Sequence, residues 1–303
     1  MNAPRAEKRD LHGWLILDKD VGQTSTAAVA ALKRLFRAKK VGHAGTLDPL
    51  ASGVLPIAFG EATKTVSYVM DGQKAYRFKV RWGVETDTDD SEGRPVSEAA
   101  ARPSPEAVRA VLPHFTGKIE QTPPRYSALK IEGERAYNLA REGEDVSLAA
   151  RPVEVHRLTL TEILDADHSV FETECGKGTY VRALARDMGR ALGCLGHVCA
   201  LRRTRVGSFG EREAVHFAEL VRRDGDLTAT LLPVESGLAA VPALQVSRVD
   251  ADRLALGQSV LLRGRDAPLL AGMVSVSTQG SLVALAEIEQ GALKPRRIFN
   301  LTR

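Results

Sequence analysis

The chain has 303 residues, of which 44% are hydrophobic and 26% are charged, and its formal net charge is +4. This composition is typical of a folded protein of about two domains and excludes disordered and fibrous chains. The longest uncharged stretch, residues 267–286, contains a proline and two glycines, which excludes a membrane span. Because the charged N-terminus lacks the apolar core of a signal peptide, we expect a cytoplasmic protein.

The first half of the chain predicts strands and helices without the regular βαβ alternation. Residues 14–17 predict a short strand, and Thr24 offers a cap to a helix that extends to Arg37. Residues 74–82 alternate between apolar and basic side chains, which indicates a half-buried strand. Ser104 followed by Pro105 is the usual start of a further helix.

The second half predicts a long loop, a strand, a helix and a separate β-rich end. Residues 121–145 are polar, basic and punctuated by Pro and Gly, so we expect a surface loop. Residues 169–175 predict a strand, and Thr179 begins a helix with Arg182, Arg186 and Arg190 on one face. After a boundary near Val241, a short helix and several strands indicate a small module appended to a larger α+β domain.

Charge is segregated along the chain. Five basic residues lie within 33–40, seven within 177–205 against one acid, and four in the last thirteen residues. Five acidic residues crowd into positions 85–92. This segregation indicates a basic face for a polyanion, although solvated helix faces explain the same pattern equally well.

Few residue clusters in the sequence could carry metal or redox chemistry. Three cysteines at irregular positions, without a CxxC pair, predict buried reduced thiols rather than a disulfide framework or a zinc site (Cys175, Cys194 and Cys199).

Residues 41–60 are turn-rich and apolar, and Asp48 is their only formally charged side chain. On the residues alone, a turn-forming role before Pro49 is favoured over a functional carboxylate held out of bulk water.

A resemblance to a known family changes that interpretation. The segment GHAGTLDPLASGVLPIAFGEATK resembles the catalytic motif of the bacterial, TruB-type tRNA pseudouridine-55 synthases. Further segments resemble the same family in the same order, namely LILDKDVGQTS, KAYRF, WGVETDTDDSEG, QTPPRYSALKIEGERAY, CGKGTYVRALARDMG and GHVCALRRTRVGSF. The last segment, ending in LKPRRIF, is similar to the RNA-binding PUA domain of these enzymes. Asp20 departs from the family pattern, which has proline at this turn.

The resemblance implies an α+β fold with a mixed, largely antiparallel sheet flanked by helices and loops. It places a pseudouridine synthase catalytic domain at residues 1–243, with an RNA-contacting insertion at 121–145, and a PUA-like domain at 244–303. The implied reaction detaches the T-loop uridine at position 55 of tRNA from its ribose at nitrogen, rotates it, and rejoins it through carbon. Because this is an isomerisation, no metal, nucleotide or redox cofactor is expected. We also expect a monomer that binds the tRNA T stem-loop, without a membrane or an obligate protein partner.

The resemblance also implies a set of site residues. Asp48 becomes the nucleophile, and both the sugar C1′ and the uracil ring remain open as its target. Arg182 should pair with Asp48 and keep it ionised, while Tyr76 should stack on the uracil.

Three further positions match residues that the family uses to hold the target nucleotide. His43 should support the flipped-out nucleotide, and Tyr180 and Leu201 should line the pocket. A base stacked in an RNA loop must be extruded to reach an enclosed carboxylate, so planar side chains near it are expected.

Two alternative functions remain. The first is the catalytic subunit of a guide-RNA particle, which the absence of long charged tails and the presence of the 121–145 segment disfavour. The second is an RNA-binding or tRNA-folding protein whose catalysis is incidental. A pseudouridine assay on unmodified tRNA, with and without Asp48→Asn, separates these possibilities.

Overall fold

The computed structural model describes residues 7–126, 130–131, 134–135, 148–262 and 271–301. Most of the RNA-contacting insertion expected at 121–145 therefore lies outside the described residues. The α-helices within the described ranges are α1 (Ser25–Leu35), α2 (Val66–Asp71), α3 (Pro105–Val111), α4 (Val181–Ala191), α5 (Phe217–Arg222) and α6 (Arg248–Ala255). Short 3₁₀ helices occupy Gly60–Lys64, Leu112–Phe115, Glu211–Glu213, Leu227–Thr230 and Val234–Leu238.

The strands occur from end to end of the chain. Those before residue 136 are β1 (Gly13–Lys19), β2 (Val41–His43), β3 (Ala51–Phe59), β4 (Lys74–Trp82), β5 (Val84–Thr86), β6 (Pro95–Glu98), β7 (Gly117–Gln121), β8 (Lys130–Ile131) and β9 (Glu134–Arg135). The later ones are β10 (Arg151–Ile163), β11 (His168–Cys175), β12 (Gly196–Val206), β13 (Phe209–Gly210), β14 (Ala214–His216), β15 (Ala243–Gln245), β16 (Val260–Leu261), β17 (Gly272–Thr278), β18 (Ser281–Glu289) and β19 (Ala292–Ile298).

A ten-stranded mixed sheet forms the centre of the molecule. Its order is β14-β1-β3-β12-β4-β11-β10-β7, with β13 beside β12 and β2 beside β3. The pairs β1–β14 and β12–β3 are parallel and the other pairs are antiparallel. A second sheet near the C-terminus has the order β15-β17-β18-β19-β16. The α+β class and the mixed, largely antiparallel sheet expected from the resemblance are confirmed.

Each face of the central sheet carries its own apolar cluster. Every residue of β1 is buried, and successive side chains of a strand point to opposite faces. Leu15 and Leu17 accordingly join the cluster under α1 and α4, while Trp14 and Ile16 join the cluster on the other face. The second cluster also contains Leu282 and Leu285 from the C-terminal sheet and Phe299, which directly follows β19. No helix in the described ranges has the length and apolar character that a membrane crossing requires.

Two helix ends differ from the sequence-based expectation. The Thr24 side chain accepts a hydrogen bond from the Ala27 N–H at 3.1 Å, as the capping pattern predicts. This helix, α1, ends at Leu35 rather than Arg37, because Arg37 adopts the left-handed conformation (φ 51°) that terminates helices. The helix expected from Thr179 begins at Val181, because Tyr180 is still extended (φ −104°, ψ 114°).

Candidate active site

A cleft of about 300 Å³ lies between the loop after β2, the N-terminus of α4, and strands β4 and β12. Five of the six site residues expected from the sequence line this cleft: Asp48, Tyr76, Tyr180, Arg182 and Leu201. The sixth, His43, ends β2, two residues before the lining begins at Gly45. Residues from four separate parts of the chain therefore converge on one opening.

Hydrogen bonds fix the backbone on both sides of Asp48. The Ser25 hydroxyl accepts from the Leu47 N–H at 2.9 Å and donates to the Leu47 carbonyl at 3.0 Å. The Gly22 N–H donates to the Pro49 carbonyl at 2.7 Å. The Asp48 carbonyl itself accepts from the Ala51 N–H at 3.0 Å, so Asp48 begins a turn and also presents its side chain to the cleft.

Arg182 faces Asp48 from the first turn of α4. Its Nε lies 3.0 Å from Asp48 Oδ2, with the guanidinium side chain 6% exposed and the carboxylate 35% exposed. Its Nη1 donates to the Thr88 carbonyl at 2.9 Å and to Asp90 Oδ2 at 3.2 Å, and its Nη2 donates to the Tyr126 carbonyl at 3.0 Å. Each of the three guanidinium nitrogens therefore has a partner. These contacts fix the orientation of the guanidinium plane, and with it the Nε–H that faces Asp48.

The acidic run at 85–92 supplies counterions for the arginine face of α4. Arg186 lies 2.8 Å from Asp89, and Arg190 donates two hydrogen bonds to the Glu85 carboxylate at 2.6 and 2.8 Å. Burial raises the pKa of Asp89 to about 6, and the charge of Arg186 opposes this shift. The basic cluster at 177–205 therefore differs from the expected open basic face.

The remaining arginines of that cluster are also engaged within the protein. Arg202 donates to both oxygens of Asp18, at 2.7 and 3.0 Å, and Arg205 pairs with Glu174 at 2.7 Å. A charge count along the sequence could not reveal these pairs, because the partners come from distant elements.

Arg203 is a buried scaffold residue that sequence reasoning did not identify. It is 2% exposed, and it donates to the carbonyls of Val54, Thr46 and Gly45 at 2.8 to 3.2 Å. Gly53, which pairs with Arg203 between β3 and β12, allows the two main chains to pack closely, since a Cβ there would lie 2.2 Å from the Arg203 carbonyl oxygen. The guanidinium thereby ties β3 to the loop that carries Asp48.

Burial shifts the titration of three groups around the cleft. Burial lowers the pKa of Lys19, whose ammonium donates to the Asp20 and Gln23 carbonyls, while the charge of Asp48 acts in the opposite direction. Burial, followed by the charge of Arg203, lowers the pKa of His43. Burial raises the pKa of the Tyr76 phenol, which favours its protonated form. The site therefore combines Asp48, the candidate nucleophile, with the neutral imidazole of His43 and the neutral phenol of Tyr76.

The start of α4 is held from outside the helix. The carboxamide of Gln121, at the end of β7, accepts from the Tyr180 N–H at 2.8 Å and donates to the Tyr180 carbonyl at 3.1 Å.

Leu201 lies on β12 opposite Phe78 and is 8% exposed. Within the described ranges, no group of three or more His, Cys, Asp or Glu side chains is placed to hold a metal ion.

Two family descriptions match consecutive parts of the chain. "TruB family pseudouridylate synthase (N terminal domain)" matches residues 33–181. "tRNA pseudouridylate synthase B C-terminal domain" matches residues 182–239. The boundary between the two matches falls within the first turn of α4, beside the cleft.

Curated relatives match nearly the whole chain. The tRNA pseudouridine synthase B of Nitrobacter winogradskyi is 64% identical over 308 residues, which covers 99% of this chain and 86% of the relative. The protein of the same name from Rhizobium meliloti is 54% identical, with 99% of both chains covered. Among solved structures, a Cbf5-Nop10-Gar1 complex contains a chain that is 26% identical, with a TM-score of 0.75 over 95% of this chain and 84% of that one.

Proposed function

The chain belongs to the TruB family of pseudouridylate synthases, which are isomerases, and on that premise we propose that it converts uridine 55 in the tRNA T loop to pseudouridine. The observation that carries this proposal is the pairing of Asp48 with Arg182 at 3.0 Å in a cleft that Tyr76 and Leu201 also line. A partly exposed carboxylate beside a fixed guanidinium suits one nucleophilic step at an electron-poor centre. Asp48 is the proposed nucleophile.

The proposed reaction needs no redox change. The bond between uracil nitrogen and the sugar C1′ breaks, the base rotates, and a bond from uracil carbon to C1′ forms. The proton lost by that carbon is balanced by the proton gained at the freed nitrogen. Asp48 can trap either C1′ or the uracil ring during the rotation, and the Arg182 guanidinium, 3.0 Å away, holds the carboxylate in place.

The dimensions of the cleft support an extruded base. Its volume of about 300 Å³ lies at the lower end of the range for small-molecule pockets. Only a base removed from the RNA stack can reach a carboxylate at such a site. We assign stacking on the uracil to Tyr76, the walls of the base pocket to Tyr180 and Leu201, and support of the flipped nucleotide to His43.

Similarity to the relatives favours tRNA as the substrate. Eight relatives named tRNA pseudouridine synthase B are 52–64% identical to this chain. The likeness to the Cbf5-Nop10-Gar1 complex, at 26% identity, supports the guide-RNA alternative less strongly. We therefore propose that the chain acts on tRNA. We also propose that it is a cytoplasmic monomer, with the catalytic domain at 1–243 and an RNA-binding, PUA-like domain at 244–303.

One exposed basic surface is available for the RNA backbone. We define the 33–40 patch as Lys33, Arg34, Arg37 and Lys40, all of which are exposed. None of the four takes part in an ion pair within the described part of the chain, whereas Lys39 pairs with Asp10 at 3.2 Å. The patch leads directly into β2 and His43, so it is suited to phosphates that flank the target loop.

The test is a pseudouridine assay on an unmodified tRNA transcript. Wild-type protein should convert position 55, and a transcript with cytidine at that position should give no product. Product at another uridine would overturn the assignment of position 55. Absence of product with well-folded protein would favour the alternative of an RNA-binding or tRNA-folding protein.

A further inference from the structure

Gln121 is a buried amide with both of its polar ends committed to one partner. Its residue is 2% exposed, although its neighbours Glu120 and Thr122 are exposed. Burying a carboxamide is costly unless its oxygen and nitrogen both find hydrogen-bond partners. Here both partners are main-chain groups of Tyr180, at 2.8 and 3.1 Å. The two bonds together fix the distance and the orientation of that peptide segment.

Tyr180 occupies the N-cap position of α4, the helix that carries Arg182. Tyrosine is not among the side chains that usually cap helices, and the first N–H groups of a helix need partners from elsewhere. The Tyr180 carbonyl also accepts the first hydrogen bond of the helix, from the Leu184 N–H at 3.1 Å. Gln121 therefore holds the residue at which the hydrogen-bond ladder of α4 begins.

The consequences of this clamp extend to the reacting groups. Tyr180 itself lines the cleft, and Arg182 follows two residues later to meet Asp48. Asp48 is fixed by a different set of hydrogen bonds, through Ser25 and Leu47. Because the main chain at Asp48 and the main chain at the start of α4 are held by separate hydrogen bonds, the backbone positions from which Asp48 and Arg182 extend depend on where α4 begins.

We propose that Gln121 is a positioning residue for pseudouridine formation, which acts by clamping Tyr180 and so setting Tyr180 and Arg182 relative to Asp48. This inference rests on the proposed function. A misplacement of about 1 Å at a reacting group can cost about a hundredfold in rate, so a clamp at the helix start is well placed to control catalysis. Its effect should fall on the chemical step more than on RNA affinity.

Three variants separate positioning from stability. Gln121→Met keeps the side-chain length and removes both hydrogen bonds. Gln121→Glu keeps the shape, and only its protonated carboxyl can still donate to the Tyr180 carbonyl while accepting from the N–H. Glu120→Gln is the matched control, since Glu120 is exposed on the same strand.

The experiment measures single-turnover rate, tRNA Kd and thermal unfolding for each protein, with amide hydrogen exchange at Tyr180. We expect Gln121→Met to slow the single-turnover step about tenfold or more, with a tRNA Kd within about threefold of wild type and faster exchange at Tyr180. The ratio of the Gln121→Glu rate to the wild-type rate should fall as pH rises, because ionisation removes the donor. Glu120→Gln should match wild type.

Distinct outcomes would overturn the inference and the proposed function. If wild type forms pseudouridine and folded Gln121→Met does so equally fast, Gln121 is not a positioning residue. Should Gln121→Met fail to fold, a Gln121→Glu rate equal to wild type at every pH overturns the inference instead. A folded wild-type protein without any pseudouridine product refutes the proposed function, and the inference falls with it.

Discussion

Asp48 and Arg182 approach each other from different elements, with Oδ2 and Nε 3.0 Å apart in the lining of the cleft. The arginine is almost fully buried and the carboxylate is about one-third exposed. One charge is therefore fixed within the protein, and the other remains accessible to a substrate. This asymmetry is what a nucleophile and its supporting cation require.

Replacing Asp48 tests the proposed nucleophile. Asp48→Asn removes the negative charge with little change in volume, so it should abolish pseudouridine formation and leave tRNA Kd within about threefold of wild type. Pseudouridine release and filter binding with the same tRNA measure the two effects. Turnover within about tenfold of wild type would contradict the assignment.

Replacing Arg182 tests the geometry of the guanidinium. Arg182→Lys keeps the charge, but one ammonium cannot serve acceptors on Asp48, Thr88, Asp90 and Tyr126 at once. We expect kcat to fall about a hundredfold or more, as for the loss of a fixed electrostatic contact. Arg190→Lys on the same helix is the control, because that arginine side chain is 54% exposed. Equal effects of both substitutions on kcat would remove the special role of Arg182.

Local patterns in the sequence predict much of the fold and part of this site. Alternation in β4 and the Thr24 cap of α1 are local signals, and both predictions are confirmed. The pairing of Asp48 with Arg182 followed only from the family resemblance, since nothing near either residue indicates the other. The partners of Arg186 and Arg190 were missed because they lie on the far 85–90 segment.

The clamps of the site were missed for the same physical reason. The Ser25 and Gln121 side chains bond to main-chain groups of Leu47 and Tyr180, and any residue type offers such groups. No motif of spacing or charge marks these bonds in advance. Only the folded arrangement of strands and helices brings donor and acceptor together.

The 33–40 patch predicts a salt-dependent part of tRNA binding. The triple variant Lys33→Gln, Arg34→Gln, Lys40→Gln should weaken tRNA binding at low salt and lower the slope of log K against log salt by about two. Arg157→Gln is the control, because Arg157 already pairs with Glu174 at 2.9 Å. Fluorescence titration across a salt series measures both slopes. An unchanged slope in the triple variant would place the RNA elsewhere.

Because of His43, we expect the thermal stability of the protein to decrease as the pH falls below neutrality. Burial, followed by the charge of Arg203, lowers the pKa of His43 in the folded protein. The unfolded chain therefore takes up a proton near pH 6.5 that the folded chain resists, so this contribution is present above that pH and is lost below it. We expect Tm to fall between about pH 7.5 and 5.5, and to fall less in His43→Gln.

Thermal unfolding by circular dichroism at those pH values measures this difference, with His114→Gln at an exposed histidine as the matched control. Parallel Tm profiles for wild type and His43→Gln would show that His43 does not contribute. The pH dependence of the His43 ring signals in NMR provides a direct second measurement of its lowered pKa.

We expect the C-terminal sheet to contribute to RNA binding and not to the chemical step. The apolar cluster that it shares with the central sheet limits how this expectation can be tested. Leu282, Leu285 and Phe299 belong to the same apolar cluster as Trp14, so deletion of residues 244–303 would expose that cluster and destabilise the central sheet. A surface substitution avoids this effect. Arg297 on β19 is exposed, whereas its neighbour Arg296 pairs with Glu287 and Glu289 at 2.6 and 2.8 Å.

Arg297→Gln should therefore raise the KM or the Kd for tRNA about twofold to tenfold, while kcat at saturating tRNA stays near wild type, since a remote phosphate contact binds ground and transition states alike. Arg296→Gln is the control for a cation already neutralised within the protein. Steady-state kinetics with full-length tRNA and with an isolated T stem-loop shows whether the contact lies beyond the target loop. Unchanged KM and Kd in Arg297→Gln would contradict a role of this strand in RNA binding. A fall in kcat at constant KM would instead tie the C-terminal sheet to the chemical step, through the core that it shares with Trp14.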